Sequence, residues 1–266
     1  MKVGFVGAGR MGRPMVARLV YAGHDVRALG RTADKRRQLH ELGATAVRGV
    51  TEAAAGADAV VVCVFDDDQL REVCLDAALM SAMPPGSALV VHTTAAVGTV
   101  AAIATRAHGV DVVDAAVSGG PHDIAAGRLS LFVGGACDAV ARVRPVLDCY
   151  GDPVLHVGPL GAGQKVKLVN NALFAAQIGL LAESVRLGER LGVAEPVLLG
   201  ALAHGSAASR VLSLVASRGS IAAFVDAVGE FVDKDVAVVR HMAGDAGADL
   251  GALDAAIEAV DAARRL

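Results

Sequence analysis

Lys167, Asn170 and Asn171 stand within five residues of one another in the run from Gly161 to Asn171, which opens a long, otherwise apolar segment. Residues three and four apart are neighbours on an α-helix, so this spacing sets an ammonium and two carboxamides on one face. Such a trio can bind a carbonyl oxygen and protonate it. Near the other end of the chain, Gly7, Gly9 and Gly12 follow directly on the apolar run Val3 to Val6. Between a strand and a helix, the first glycine permits a tight turn and the second lets the backbone approach a pyrophosphate. The third allows close packing of helix on strand, while the helix N-terminus attracts negative charge. The chain thus offers a nucleotide site and a proton donor, the two parts a dehydrogenase needs.

The elements that must hold these groups follow from periodicity. Short β-branched runs at 3–6, 25–29, 59–64, 88–92, 110–115, 129–133 and 154–157 alternate with helical segments at 11–22, 32–42, 69–81, 97–107 and 136–147. That alternation predicts an α/β fold, a doubly wound, Rossmann-like parallel sheet covered by helices. From Gln164 to about Leu191 a helical pattern runs on without proline, and only helical segments follow, the last ending at Arg264, Arg265 and Leu266. The expected organisation is a nucleotide-binding domain over 1–160 and an all-α substrate and dimerisation domain over 161–266, joined by the long helix.

The 266 residues suffice for a substantial core, and a formal net charge of −3 gives no electrostatic reason to expect nucleic acid or anionic membrane as a partner. The hydrophobic fraction of 54% comes largely from alanine and valine, and the apolar stretches carry polar breaks, which argues against a membrane span. Met1 leads straight into the first strand without an export signal, so a cytoplasmic location is expected. Cys63, Cys74, Cys137 and Cys149 lie far apart and read as reduced, structural thiols. No histidine spacing suits zinc, and Asp66, Asp67 and Asp68 read as helix-initiating carboxylates, so no metal is expected. His92 and His122 read as polar structural residues.

The second strand runs into Gly30, Arg31 and Thr32, where an acidic residue would bind the ribose 2′-hydroxyl of NAD. No carboxylate stands there. Gly30 leaves room, Arg31 offers a planar cationic fork and Thr32 a hydroxyl, a set suited to a 2′-phosphate, while Thr32 also fits a helix N-cap. NADP is the expected cofactor, with NAD as the alternative. Ala8, Arg10 and Met11 within the fingerprint, and Val64 and Phe65 where the strand over 59–64 ends, complete the expected cofactor contacts.

These motifs together resemble the β-hydroxyacid dehydrogenase family, which includes 3-hydroxyisobutyrate dehydrogenases, tartronate semialdehyde reductases and glyoxylate/succinic semialdehyde reductases. Gly4 to Met15 resembles the family's N-terminal signature, Asp114 to Gly120 its substrate loop, Gly163 to Asn171 its catalytic signature, and Lys234-Asp235 a pair late in its helical domain. The resemblance covers nearly the whole chain. It implies Lys167 as the catalytic acid and base with Asn171 orienting the substrate or the ammonium, and Asn170 bracing the site. It also implies Ser118, Gly119 and Gly120 as the carboxylate-binding loop, Thr94 and Lys234 as cofactor contacts, and Phe231 and Asp235 near the substrate. The expected substrate is a small carboxylate-bearing semialdehyde or its hydroxyacid, and the expected assembly a homodimer or homotetramer.

The sequence departs from the family at Pro121-His122-Asp123-Ile124, where His122 and Asp123 could alter substrate choice, at Ala116, and after Ala255, where the ending of longer members is lacking. A 6-phosphogluconate dehydrogenase would carry a histidine-asparagine pair where Asn170 and Asn171 stand. An imine reductase would replace Lys167. A nucleotide-binding regulatory protein without turnover is the alternative outside enzymes.

Overall fold

The computed structural model describes residues 1–76, 78–245 and 247–263, the side chains of Glu230, Phe231 and 261–263 excepted. Two compact units meet in the chain at Lys167 and Leu168. The first holds an eight-stranded sheet: β1 (Lys2–Val6), β2 (Asp25–Leu29), β3 (Thr45–Val47), β4 (Ala59–Val62), β5 (Ala88–Val91), β6 (Asp111–Ser118), β7 (Leu129–Gly134) and β8 (Gly151–Gly158). Helices α1 (Gly12–Tyr21), α2 (Ala33–Glu41), α3 (Val50–Ala54), α4 (Asp67–Arg71), α5 (Leu79–Ala82), α6 (Val97–Arg106), α7 (Pro121–Ala125) and α8 (Cys137–Leu147) connect them. The strand order is β3-β2-β1-β4-β5-β6-β7-β8.

Side chains alternate across a strand, and here both faces are apolar. Val3 and Phe5 of β1, Val61 of β4 and Val90 of β5 enter one core with Met15, Val16 and Leu19 of α1. Val6, Val60, Val62, Leu89 and Val91 enter the other with Leu70, Val100 and Ile103. Strands buried on both faces read as continuous hydrophobic runs, which is why Val60-Val61-Val62 shows no polar alternation.

Three local features differ from the expectation. The pairing of β6 with β7 is antiparallel, because the five-residue α7 is too short for a parallel crossover. β3 is a three-residue edge strand, too short to announce itself. The single helix expected over 69–81 is broken: α4 passes into a π-helical turn at Glu72–Asp76, and α5 begins at Leu79.

The second unit consists of helices: most of α9 (Ala162–Arg190), then α10 (Glu195–Leu202), α11 (Arg210–Arg218), α12 (Ile221–Asp245) and α13 (Ala252–Ala263). Ala175, Ala176, Ile178, Ala182 and Val185 of α9 pack into a core with Leu212, Val215, Phe224 and Val260. By length and composition alone α9 could cross a membrane, contrary to the sequence expectation, but half of its most apolar window is buried inside the protein. That burial fits a core helix. The terminal residues Arg264, Arg265 and Leu266 lie outside the described residues.

Candidate active site

Because β2, β1, β4, β5 and β6 are parallel and adjacent, the loops after them leave the same edge of the sheet. Five of the expected segments are carried there: Gly30 to Thr32 after β2, Gly7 to Met11 after β1, Val64 and Phe65 after β4, Thr94 after β5, and Ser118 to Gly120 at the end of β6. Crevices outside the carboxyl ends of parallel strands are where ligands bind in this architecture.

The three glycines of the loop stand in three different surroundings. Gly7 turns with φ at +98°, and a Cβ there would collide with the Cys63 carbonyl. A Cβ at Gly12 would collide with the Gly7 carbonyl oxygen and would lie 2.7 Å from Phe5 Cε1. At Gly9 a Cβ would meet no protein atom within 4 Å, so its absence leaves space that the chain itself does not fill. No side chain caps the N-terminus of α1 and no acidic residue stands in its first turn. A helix N-terminus with no side-chain cap and no acidic residue in its first turn, beside open space at Gly9, fits a dinucleotide pyrophosphate.

The end of β2 differs in detail from its reading. The room at Gly30 is taken from within, since a Cβ there would lie 2.5 Å from Arg36 Cγ, and Arg36 Nη1 donates to the Gly30 carbonyl at 2.8 Å. Thr32 is the N-cap of α2, its hydroxyl accepting from Lys35 N at 3.2 Å. Arg31 is exposed and no described residue pairs with its guanidinium. The nearby Asp34 is engaged by Arg37 and Gln38.

At the end of β6, Gly119 has φ at +133°, and the Gly120 N–H donates to Asp123 Oδ2 at 2.8 Å. The donor expected of Gly120 is therefore already used to start α7, and Asp123, 9% exposed, is a capping carboxylate rather than a group facing solvent. Exposed His122 lies 3.3 Å from it. Ser118 and Gly119 remain the polar groups of that loop.

The first turn of α9 is fixed by two fully buried side chains that the sequence reading left without a role. Asp114 of β6 accepts from the backbone N–H groups of Gly161 at 2.6 Å and Gln164 at 2.8 Å. Burial pushes its carboxyl pKa up while these backbone donors pull it down. Gln164 Nε2 donates to the Thr93 carbonyl at 2.8 Å, and its Oε1 accepts from Ala95 N at 3.0 Å. The Thr93 hydroxyl donates to the Val64 carbonyl at 3.1 Å, and it accepts from Val64 N at 3.0 Å. A charged residue inside the apolar run Val112-Val113-Asp114-Ala115-Ala116 was the available signal for Asp114.

One turn beyond Gln164 stands Lys167, half-buried, with Asn170 and Asn171 on the following turn. In the second unit Asn171 is buried and donates to Asp235 Oδ2 at 2.8 Å, Asn170 donates to Asn171 Oδ1 at 3.3 Å, and Lys234 lies 3.5 Å from Asp235 Oδ1. Asp235 therefore braces Asn171. The side chain of Phe231, expected near the substrate, lies outside the described residues.

Of the acidic run after β4, Asp66 caps α4 through Gln69 N at 2.9 Å. Asp67 accepts from Ala96 N at 3.0 Å and from the Thr99 hydroxyl at 2.8 Å, holding the start of α6. Buried Cys74 has its thiol pKa pushed up to about 12 by desolvation, which suits an inert core residue.

Comparison with known proteins agrees with this architecture. Residues 2–158 match the NAD binding domain of 6-phosphogluconate dehydrogenase, and residues 161–266 match the NAD-binding domain of NADP-dependent 3-hydroxyisobutyrate dehydrogenase. A 3-hydroxyisobutyrate dehydrogenase of Pseudomonas aeruginosa is 33% identical over 215 residues, 80% of this chain and 72% of that protein. An NAD-dependent L-serine dehydrogenase of the same species is 32% identical over 216 residues, with 80% and 72% covered. The structure of Mycobacterium tuberculosis 3-hydroxyisobutyrate dehydrogenase with L-serine superposes with a TM-score of 0.86 at 27% identity, covering 98% of this chain and 92% of that one. With its sheet order, its glycine loop and both halves matched, the chain belongs to the β-hydroxyacid dehydrogenase family of NAD(P)-binding oxidoreductases.

Proposed function

We propose that this protein is an NADP-preferring dehydrogenase that interconverts a small 3-hydroxyacid and the corresponding carboxylate-bearing semialdehyde, with Lys167 as the acid and base. The observation that carries this reading is the fixed first turn of α9. Asp114 and Gln164 tie that turn to β6 and to the loop around Thr94, and Lys167 follows one turn later. The relatives named for 3-hydroxyisobutyrate and L-serine share a 3-hydroxyacid, which supports the substrate class.

Bound at the Gly7 to Gly12 loop, the nicotinamide cofactor would supply hydride in reduction and accept it in oxidation. The chain's own residues do the rest. Ser118 and Gly119 bind the substrate carboxylate and so fix the orientation of the reacting carbon. Lys167 donates a proton to the carbonyl oxygen as that oxygen gains negative charge, and takes it back from the hydroxyl in the reverse direction. Asn171, braced by Asp235, orients the substrate oxygen. Arg31 pairs with a 2′-phosphate, which favours NADP over NAD.

The test is nicotinamide absorbance during oxidation of 3-hydroxyisobutyrate and L-serine, and during reduction of methylmalonic, succinic and tartronic semialdehydes. Lys167→Ala is expected to lower kcat by about 10²–10⁴ with cofactor Kd unchanged, the range for loss of a positioned acid-base group. Near wild-type kcat in that variant would overturn the assignment of Lys167. A cyclic imine belongs in the same assay, because imine reductases at 22% and 20% identity share this fold.

A further inference from the structure

The two hydrogen bonds of Gln164 do not fall on one residue but on the backbone either side of Thr94. The side-chain amide donates to the carbonyl of Thr93 and accepts from the N–H of Ala95. Thr94 itself is thereby held between two anchors while its own side chain stays half-buried at the sheet edge. The same device recurs one strand further on. The Thr93 hydroxyl both donates to and accepts from the backbone of Val64, so the Gln164 clamp continues through Thr93 into the loop after β4.

Gln164 is completely buried, and both groups its carboxamide hydrogen-bonds are main chain. Packing alone would be met by a methionine of similar volume, whereas these two bonds need a donor and an acceptor on one planar group. The other end of the connection is α9, whose first turn Asp114 seals from below through Gly161 N and Gln164 N. Lys167 lies three residues after Gln164, on the adjoining turn of the same helix. The backbone around Thr94 and the backbone carrying Lys167 are therefore joined through a single carboxamide.

We infer that Gln164 is a positioning residue that sets the register between the Thr94 loop and Lys167. This inference rests on the reading of Lys167 given above. Reaction geometry is steep in such placements, since a misplacement of about 1 Å can cost about 10²-fold in rate. The clamp then controls chemistry without touching substrate.

The experiment compares wild type, Gln164→Met and Gln164→Glu for kcat, KM, NADPH Kd by fluorescence, and the primary isotope effect with deuterated cofactor. Methionine removes both bonds at similar size. Glutamate keeps the acceptor for Ala95 N but sets a carboxylate against the Thr93 carbonyl. Both variants are expected to lose about ten- to a hundredfold in kcat, with NADPH Kd within about threefold of wild type and a larger isotope effect as hydride transfer becomes limiting.

A lower melting temperature with kcat per folded molecule and isotope effect unchanged would assign Gln164 to stability alone and overturn the inference. Failure of both variants to fold would do the same. Wild-type turnover that Lys167→Ala abolishes, alongside normal Gln164 variants, would sink this inference while leaving the proposed function intact. No turnover by the wild type would overturn the proposed function and this inference with it.

Discussion

His92 accepts a hydrogen bond from the Tyr150 hydroxyl through Nε2 at 2.8 Å, at the end of β5 directly before Thr93 and Thr94. The tautomer follows from the other ring nitrogen. Nδ1 faces the Ala115 carbonyl at 2.5 Å, and a carbonyl can only accept, so Nδ1 carries the proton and Nε2 is left to receive one from Tyr150. Burial pushes the His92 pKa down to about 4 and raises that of Tyr150, so both groups are held neutral. The pair ties β5 and β6 to the start of β8 beneath the loops that carry Thr94 and Ser118.

The linkage sign is fixed by that depression. Between about pH 4 and pH 6.5 the unfolded chain binds a proton at His92 that the folded chain does not, so stability rises with pH across this window. Its contribution is complete above pH 6.5 and is lost as pH falls toward 4, with a magnitude on the order of 3 kcal/mol. Urea denaturation at pH 4.5, 5.5 and 7 checks it. His92→Gln should flatten this part of the profile, and Tyr150→Phe should cost about 1–3 kcal/mol by leaving Nε2 without a donor. A His92→Gln profile as steep as that of the wild type over this window would contradict the assignment.

Gly9 and Gly12 separate cofactor binding from folding within one motif. Alanine at Gly9 meets no protein atom and adopts an ordinary backbone, so Gly9→Ala is expected to keep the wild-type melting temperature. Its methyl would occupy the approach to the pyrophosphate, and NADPH affinity should fall by about tenfold or more, as expected for backbone contacts that need glycine. At Gly12 the added methyl meets the Gly7 carbonyl and Phe5, so Gly12→Ala should destabilise the fold by about 1–3 kcal/mol through overpacking. Thermal unfolding with and without NADPH distinguishes the two. Equal loss of stability in both variants would show that the open space at Gly9 is not reserved for a ligand.

The glycine loop and the lysine-asparagine trio were legible in the sequence because each is local, resting on a few consecutive residues and one backbone period. The groups that fix them are not local. Asp114 reaches Gly161 and Gln164 across 47 and 50 residues, and Gln164 reaches Thr93 across 71, so no spacing rule could pair them before the sheet order was known. α7 carried a readable signal in Pro121 at its first turn and Asp123 three residues after Gly120, a capping pattern hidden by its position in an atypical loop. The break at Glu72–Asp76 left no mark, because a π-helical turn shifts an amphipathic pattern by a single residue within a continuous helical run.

The proposed preference for NADP rests on Arg31. At the end of β2 it is an exposed cation beside an α2 N-terminus whose cap, Thr32, faces Lys35 N, and the carboxylate of Asp34 is already paired with Arg37. A 2′-phosphate there would gain a charge-assisted, two-pronged contact, while a 2′-hydroxyl would find no carboxylate to receive it. Arg31→Ala is expected to weaken NADPH binding by about ten- to a hundredfold, the range for a charge-assisted bond of about 1.5–3 kcal/mol, and to leave NADH within about threefold. Raised salt should shrink the wild-type preference, because the contact is exposed and screened. Equal Kd values for NADPH and NADH in the wild type, or equal losses for both in Arg31→Ala, would show that the preference is set elsewhere.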